Sequence, residues 1–183
     1  MIDLKEYYAR IPMLKDIPVD KISAERLGGL TNVVYCLRYD NQKKILRIPG
    51  VGTDEFIDRK TEKHDAIVAS DSGVSAKGLY FDDDDGLMFS EFLEGETLNE
   101  EKFRDLGSVE RSAKALLKIH QHPAKFKTRF DVFEKIDEYL ELVKKLDAKV
   151  PDGYDEVNLA AKKIRTVLES KPIKLVPCHC DPL

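Results

Sequence analysis

The chain has 183 residues, of which 42% are hydrophobic and 35% charged, enough apolar material to bury a core in one domain or two small lobes. Its 30 Lys and Arg against 34 Asp and Glu leave a net charge of −4. Without a basic surface, nucleic acid is excluded as a general partner, while a local basic pocket for one nucleotide stays compatible with the composition. The three cysteines, Cys36, Cys178 and Cys180, are too few and too uneven for a disulfide framework and fit a reduced, cytoplasmic protein.

The opening residues, MIDLKEYYARIPMLKDIP, mix charges throughout and lack the apolar centre of a signal peptide. They predict a short polar helix over 2–10. Residues 22–28 and 33–39 read as two strands joined by the turn Gly28-Gly29-Leu30-Thr31-Asn32, and Asp40-Asn41 turns the chain into a third strand over 43–48. Pro49-Gly50-Val51-Gly52 then breaks the sheet. Thr53 or Asp54 is placed to cap a helix running to about Ser72, with Ile57, His64, Ile67 and Val68 as its apolar stripe, Phe56 beside it and Gly73 as its stop. Two further strands, 76–81 and 87–93, flank Asp82-Asp83-Asp84-Asp85-Gly86, which reads as a solvated hairpin tip.

From Asn99 the period changes to helical. Ser108 is placed to cap a helix over 109–121. Residues 131–147 carry Val132, Ile136, Tyr139, Leu140, Val143 and Leu146 at helical spacing, and 154–169 carry Val157, Ala160, Ala161, Ile164 and Leu168. Residues 173–176 read as a final strand. No stretch approaches the ~18 apolar residues of a membrane-spanning helix. The chain stops at VPCHCDPL, a strand running into a His-Asp loop, and the expectation is that it is a fragment of a longer protein.

The glycine turn is the first feature with chemistry in it. Glycines between two strands let backbone N–H groups approach an anion without interference from Cβ, and Thr31 and Asn32 add polar groups at the same edge. A plain hairpin turn needs glycine too. The Walker A spacing is absent, so this is not a P-loop. Arg47 ends a strand one hairpin later, where a cation reaches phosphates held under the turn, and Glu62 on the following helix is its candidate partner. The segment SEFLEGETL runs a strand into an acidic linker, Glu94-Gly95-Glu96-Thr97-Leu98; at Glu91, Phe92 and Leu93 the backbone could meet an adenine edge or simply connect two segments. His179-Cys180-Asp181 follows an apolar run, as in the catalytic loop of kinases, where the aspartate accepts the proton of an attacking hydroxyl. Metal binding by Cys178, His179, Cys180 and Asp181 is a poor alternative, because consecutive side chains diverge and no second cluster stands at zinc spacing. The run FDDDDG fails as an EF-hand, since counting back from Gly86 puts Phe81 and Phe92 at the first and last ligand positions.

Taken in order, GGLTN, LRIPGVGT, IDRKTE, SEFLEGETL, LLKIH and HCDPL resemble the choline kinase branch of the choline/ethanolamine kinase and aminoglycoside phosphotransferase family, and bacterial choline kinases above all. LRIPGVGT-x4-DR-x2-E is the most specific stretch. The resemblance implies an α+β, protein-kinase-like fold of two lobes. Residues 1–93 would form a nucleotide-binding lobe with a five-stranded antiparallel sheet and one helix. A hinge over 94–98 would join it to a mainly helical lobe, 99–183, that is incomplete at the catalytic loop.

It further implies ATP with Mg²⁺. Gly28, Gly29, Leu30, Thr31 and Asn32 would cover the phosphates, Arg47 would take the place of the kinase lysine with Glu62 orienting it, and Glu91, Phe92 and Leu93 would meet the adenine. His179 would open the catalytic loop and Asp181 would be the base. The family's H-x-D-x-x-x-x-N pattern and its later aspartate, which hold the metal, would fall beyond Leu183, so no metal ligand is assigned here. The implied reaction is phosphorylation of the hydroxyl of a small amino alcohol, choline first, with ethanolamine, thiamine or an aminoglycoside as rival acceptors. A pseudokinase-like binding or scaffolding module is the rival of another class. The expected partner is therefore a small molecule, with no nucleic acid and no membrane span; oligomeric state is not specified.

Overall fold

The computed structural model describes residues 3–29, 31–55 and 57–180. They form two compact units: one runs through Thr128 and takes in Pro177–His179, and the other is Arg129–Val176 with Cys180.

The first unit opens with helix α1 (Lys5–Arg10) and continues into strands β1 (Ser23–Gly28), β2 (Val33–Tyr39) and β3 (Gln42–Ile48). Helix α2 (Arg59–Asp71) follows, then β4 (Gly78–Phe81) and β5 (Met88–Glu91). The five strands make one antiparallel sheet in the order β1-β2-β3-β5-β4, so the expected meander and hairpin are both present. Leu27 is left out of the β1–β2 pairing as a bulge beside the glycine turn.

Side-chain alternation divides this sheet into two faces. Leu37, Tyr39, Leu46, Ile48 and Phe89 lie on one face and are buried there against Tyr8, Ile11 and Leu14 from α1 and the turns after it. The N-terminal segment thus covers the apolar face that the sheet cannot close alone. Cys36, Ile45 and Arg47 lie on the opposite face, because Arg47 is one residue out of step with Leu46 and Ile48.

Several local expectations are corrected. Helix α2 begins at Arg59, not at Thr53 or Asp54. Its cap is Asp58, whose Oδ1 accepts from the backbone N–H groups of Lys60 and Thr61 and whose Oδ2 accepts from the Thr61 hydroxyl. Those bonds hold the Asp58 carboxyl below the usual carboxylate range, the Thr61 hydroxyl foremost. Thr53 and Asp54 form a single 3-10 turn and spend their side chains on Arg59. The stripe expected on α2 is only partly inward: Val68 is buried, Ile67 is 53% exposed, and Phe56 lies outside the described residues.

The acidic tip is not free in solvent. Asp82 and Asp85 both accept from the Arg10 guanidinium at 2.7 Å, and Asp83 accepts from Lys63 at 2.9 Å. The tip therefore ties α1 on one side of the sheet to α2 on the other.

A short helix α3 (Glu100–Phe103) precedes α4 (Leu106–His120). The cap of α4 is Asp105 rather than Ser108. Asp105 Oδ2 accepts from both the backbone N–H and the hydroxyl of Ser108, each at 2.8 Å; a carboxylate is the stronger acceptor and sits three residues ahead, where a cap is needed.

In the second unit α5 (Val132–Lys145) and α6 (Tyr154–Glu169) are joined by a turn ending at Gly153. Arg165 from α6 lies 5.7 Å from the Phe133 ring centroid and binds Asp137 at 3.2 Å. The stripe predicted for α6 is not covered within this unit: Val157, Ile164 and Leu168 are 68%, 56% and 48% exposed. Residues 173–176 form no strand, and Ile173 and Leu175 are largely exposed. An apolar run becomes a strand only where a sheet edge accepts it. Among the described residues no helix is long and apolar enough to cross a membrane.

Candidate nucleotide site

Three cations stand in the β3 sequence KKILRI, and the pleat separates their roles. Lys44 shares the core-side face with Leu46; it is only 13% exposed and bonds Glu91 at 2.6 Å. Lys43 bonds Glu94 at 2.6 Å and lies 5.1 Å from the Phe92 ring centroid, a cation–π distance. Arg47 shares the opposite face with Lys43, and of the three cations it is the one bonded to α2. Its Nη2 donates to Glu62 Oε1 at 2.5 Å, with both side chains mostly covered, at 24% and 21% exposure.

The Arg47 Nε–H is buried and has no hydrogen-bond partner among the described residues. A desolvated guanidinium donor left in that condition is costly, and a bound anion would satisfy it. Arg47 and Glu62 also line a cavity of about 530 Å³ with Ile57, Thr61, Met88 and Phe126. Asp65, which also lines it, accepts from the backbone N–H groups of Lys127 and Thr128 at 2.7 and 3.0 Å. Burial of Asp65 works against its charge, but these bonds and His64 outweigh it and hold its carboxyl low.

The glycine turn and the loop after β3 are built against each other. Gly29 has φ 112°, and a Cβ there would meet Asn32 O at 1.8 Å, so only glycine closes this turn. Gly50 N–H donates to Asn32 Oδ1 at 3.4 Å, and a Cβ on Gly50 would stand 1.8 Å from Thr31 O. Backbone therefore touches backbone between GGLTN and PGVGT, with no side chain between them. Leu30 lies outside the described residues.

The sequence reading passed over Arg59, Thr53 and Asp54 as site residues. Arg59, 6% exposed, donates Nη1 to Glu62 Oε2 at 2.8 Å, Nε and Nη2 to Asp54 Oδ1 at 3.0 and 2.7 Å, and Nη2 to Thr53 Oγ1. Burial opposes the Arg59 charge, and Glu62 and Asp54 more than offset it. Thr53 Oγ1 in turn donates to Gly50 O at 2.8 Å. The signal was present in the stretch LRIPGVGT-x4-DR-x2-E: most of its polar and glycine positions meet in this one network.

The remaining candidates are dispersed. The Glu91 side chain is on the other face of the sheet from Arg47, held by Lys44, so only the backbone of Glu91, Phe92 and Leu93 is available to an adenine edge. Leu93 is 63% exposed. His179 belongs to the first unit, and Asp181 lies outside the described residues. The larger cavity, about 860 Å³ between α5 and α6, is lined by Asp137, Glu138 and Glu141, each already paired with Arg165, Lys135 or Lys144.

The chain as a whole is similar to known proteins. A choline/ethanolamine kinase family protein from Mesorhizobium loti is 36% identical, and its structure superposes with a TM-score of 0.79 over 98% of this chain and 57% of its own. The choline kinase LicA from Streptococcus pneumoniae is 25% identical, with a TM-score of 0.76 over 98% of this chain and 60% of its own. A LicA structure in complex with AMP is 26% identical, with a TM-score of 0.75 over 97% and 61%. The LicA protein of Haemophilus influenzae is 24% identical over 158 residues, which is 85% of this chain and 46% of that protein. The chain thus spans about half the length of the curated relatives it matches. The model of the choline/ethanolamine kinase family matches residues 24–183, and the chain belongs to that family.

Proposed function

We propose that the protein is an ATP-dependent phosphotransferase that phosphorylates the hydroxyl of a small amino alcohol, choline first. One observation carries the reading: a cation, Arg47, oriented by Glu62 beside a glycine turn, with a buried Nε–H that no described residue accepts. The donor set fits an oxyanion such as a phosphate. A related LicA structure is a complex with AMP, which supports nucleotide binding, and choline kinase LicA among the relatives supports choline as acceptor. Ethanolamine is the second reading, favoured by the family description itself.

In this reading Gly28, Gly29, Leu30, Thr31 and Asn32 cover the phosphates, and Arg47 neutralises charge on them. The backbone of Glu91, Phe92 and Leu93 meets the adenine, residues 94–98 act as the hinge between lobes 1–93 and 99–183, and His179 leads into Asp181 as the base for the attacking hydroxyl. When bound with the nucleotide, Mg²⁺ would supply charge neutralisation on the phosphates. Phosphoryl transfer passes through a loose transition state rich in oxygen charge, so positioning and electrostatics account for most of the catalysis. The proposed setting is cytoplasmic, with a small molecule as partner.

The test is Mg²⁺-dependent ADP release by the intact protein with choline, ethanolamine, thiamine and kanamycin. Turnover preferring choline is expected, with Arg47→Ala lowering kcat/KM for ATP by about 10²-fold or more. Absence of turnover with all four acceptors would overturn the acceptor class and favour a binding module instead.

A further inference from the structure

We propose that Arg59 is a positioning residue: it holds the second oxygen of Glu62 and so fixes the direction in which Arg47 presents its unsatisfied N–H to the nucleotide phosphates. The proposal rests on the phosphotransferase reading for its functional consequence and on the geometry alone for its structural part.

A buried arginine is in the wrong place for stability at this point of the fold. Arg59 is the first residue of α2, where the aligned peptide dipoles favour anions and disfavour cations. It is 6% exposed, and burying an ion pair commonly stabilises no more than apolar packing of the same volume does. Arg59 is nevertheless held from every side. Three of its nitrogens reach acceptors on Glu62, Asp54 and Thr53, and Gly86 packs so closely that a Cβ there would lie 2.8 Å from Nη1. The hairpin tip carrying Gly86 is itself fastened by Arg10. Local rules broken at the cost of stability mark functional sites.

What Arg59 achieves follows from the two oxygens of Glu62. A carboxylate alone with Arg47 would take two parallel N–H groups in the bidentate fork that this pair prefers. With Oε2 drawn toward Arg59 Nη1, Arg47 bonds Oε1 alone, through Nη2, and keeps Nε free. Two guanidinium groups then share one mostly covered carboxylate, since the other carboxylate, Asp54, is 67% exposed. The inner cluster is left with an excess of positive charge that suits a phosphate. Through Thr53 and Gly50 the same arginine is connected to the glycine turn, so phosphate cover and phosphate cation are held in one register.

The experiment compares Arg59→Lys and Asp54→Asn with the parent in the intact protein. Lysine keeps the charge but cannot span three acceptors; Asp54 is exposed, so its variant folds even if Arg59→Lys does not. The readouts are the melting temperature, the Kd of a non-hydrolysable ATP analogue, KM for ATP and for the acceptor, and the NMR signal of the Arg47 Nε–H. Arg59→Lys is expected to weaken the ATP analogue and raise KM for ATP by about tenfold, leave KM for the acceptor within about twofold, and shift or broaden the Arg47 Nε–H signal. Asp54→Asn is expected to move the same quantities two- to threefold. A folded Arg59→Lys with parental ATP affinity and an unchanged Arg47 signal overturns the proposal. A parent that binds no nucleotide overturns the phosphotransferase reading instead, and the Arg47 signal still tests the positioning by itself.

Discussion

Gly50→Ala tests whether backbone contact between the two glycine-rich segments organises the site. Gly50 has no unusual φ; its constraint is proximity. The added Cβ would lie 1.8 Å from Thr31 O, 3.0 Å from Thr31 C and 3.6 Å from Thr53 Cγ2. A carbon and a carbonyl oxygen come no closer than about 3.3 Å even in favourable C–H···O contacts. The two segments must therefore part by roughly 1.5 Å. Neither side yields cheaply. Gly50 is held by its N–H to Asn32 and by the Thr53 N–H and hydroxyl on its carbonyl, and Thr31 leads directly into β2. Overpacking of this kind costs about 1–3 kcal/mol. Urea unfolding should show that loss, and titration with an ATP analogue should show affinity down by about tenfold, as a displacement of this size loosens oriented contacts. Gly78→Ala is the control. Nothing lies within 4 Å of its Cβ, so stability should stay within about 0.5 kcal/mol or rise slightly. Parental stability and parental nucleotide affinity in Gly50→Ala would refute the reasoning.

Two further outcomes follow from the packing and the charges. Phe89 is fully buried in the core between the sheet and the N-terminal segment; Phe89→Ala should cost about 3–5 kcal/mol in urea unfolding, and a loss under about 1 kcal/mol would show that α1 does not close this core. The Asp82 and Asp85 carboxyls are held below their ordinary range, first of all by hydrogen bonds from Arg10. Groups depressed in the folded state stabilise it above the unfolded carboxylate pKa of about 4, and that contribution disappears as pH falls through the folded values. Arg10→Gln should therefore lower stability at pH 7 by about 1 kcal/mol, the discounted worth of a half-exposed pair network. The difference from the parent should shrink steadily below about pH 4; a gap that stays constant from pH 7 to pH 3 would contradict the linkage.

How much of the site could be read in the sequence depends on how local its causes are. Arg47 and Glu62 could be paired in advance because kinases pair a strand cation with a carboxylate on the following helix. The caps were misplaced for a related reason. Thr53, Asp54, Asp58, Asp105 and Ser108 are all competent caps, and which one serves depends on what else its side chain binds. Thr53 and Asp54 were taken by Arg59, which no local rule reveals. Asp181, the proposed base, is carried by the family pattern and lies outside the described residues.

By itself the sequence determined the order of the five sheet strands and the longer helices, the positions of the glycine turns and the family. Period-2 and period-3.6 patterns and turn residues act within a few positions of one another and need no tertiary partner. Only the tertiary structure decided that Lys44 meets Glu91 on the core-side face while Lys43 meets Glu94, since one step along a strand changes the face. It also turned the acidic run into a clasp for Arg10 and Lys63, joined Arg59 to Glu62, and withheld a ladder from residues 173–176. Charges and apolar runs are promiscuous: their roles are set by the partner that long-range folding brings within a few ångströms.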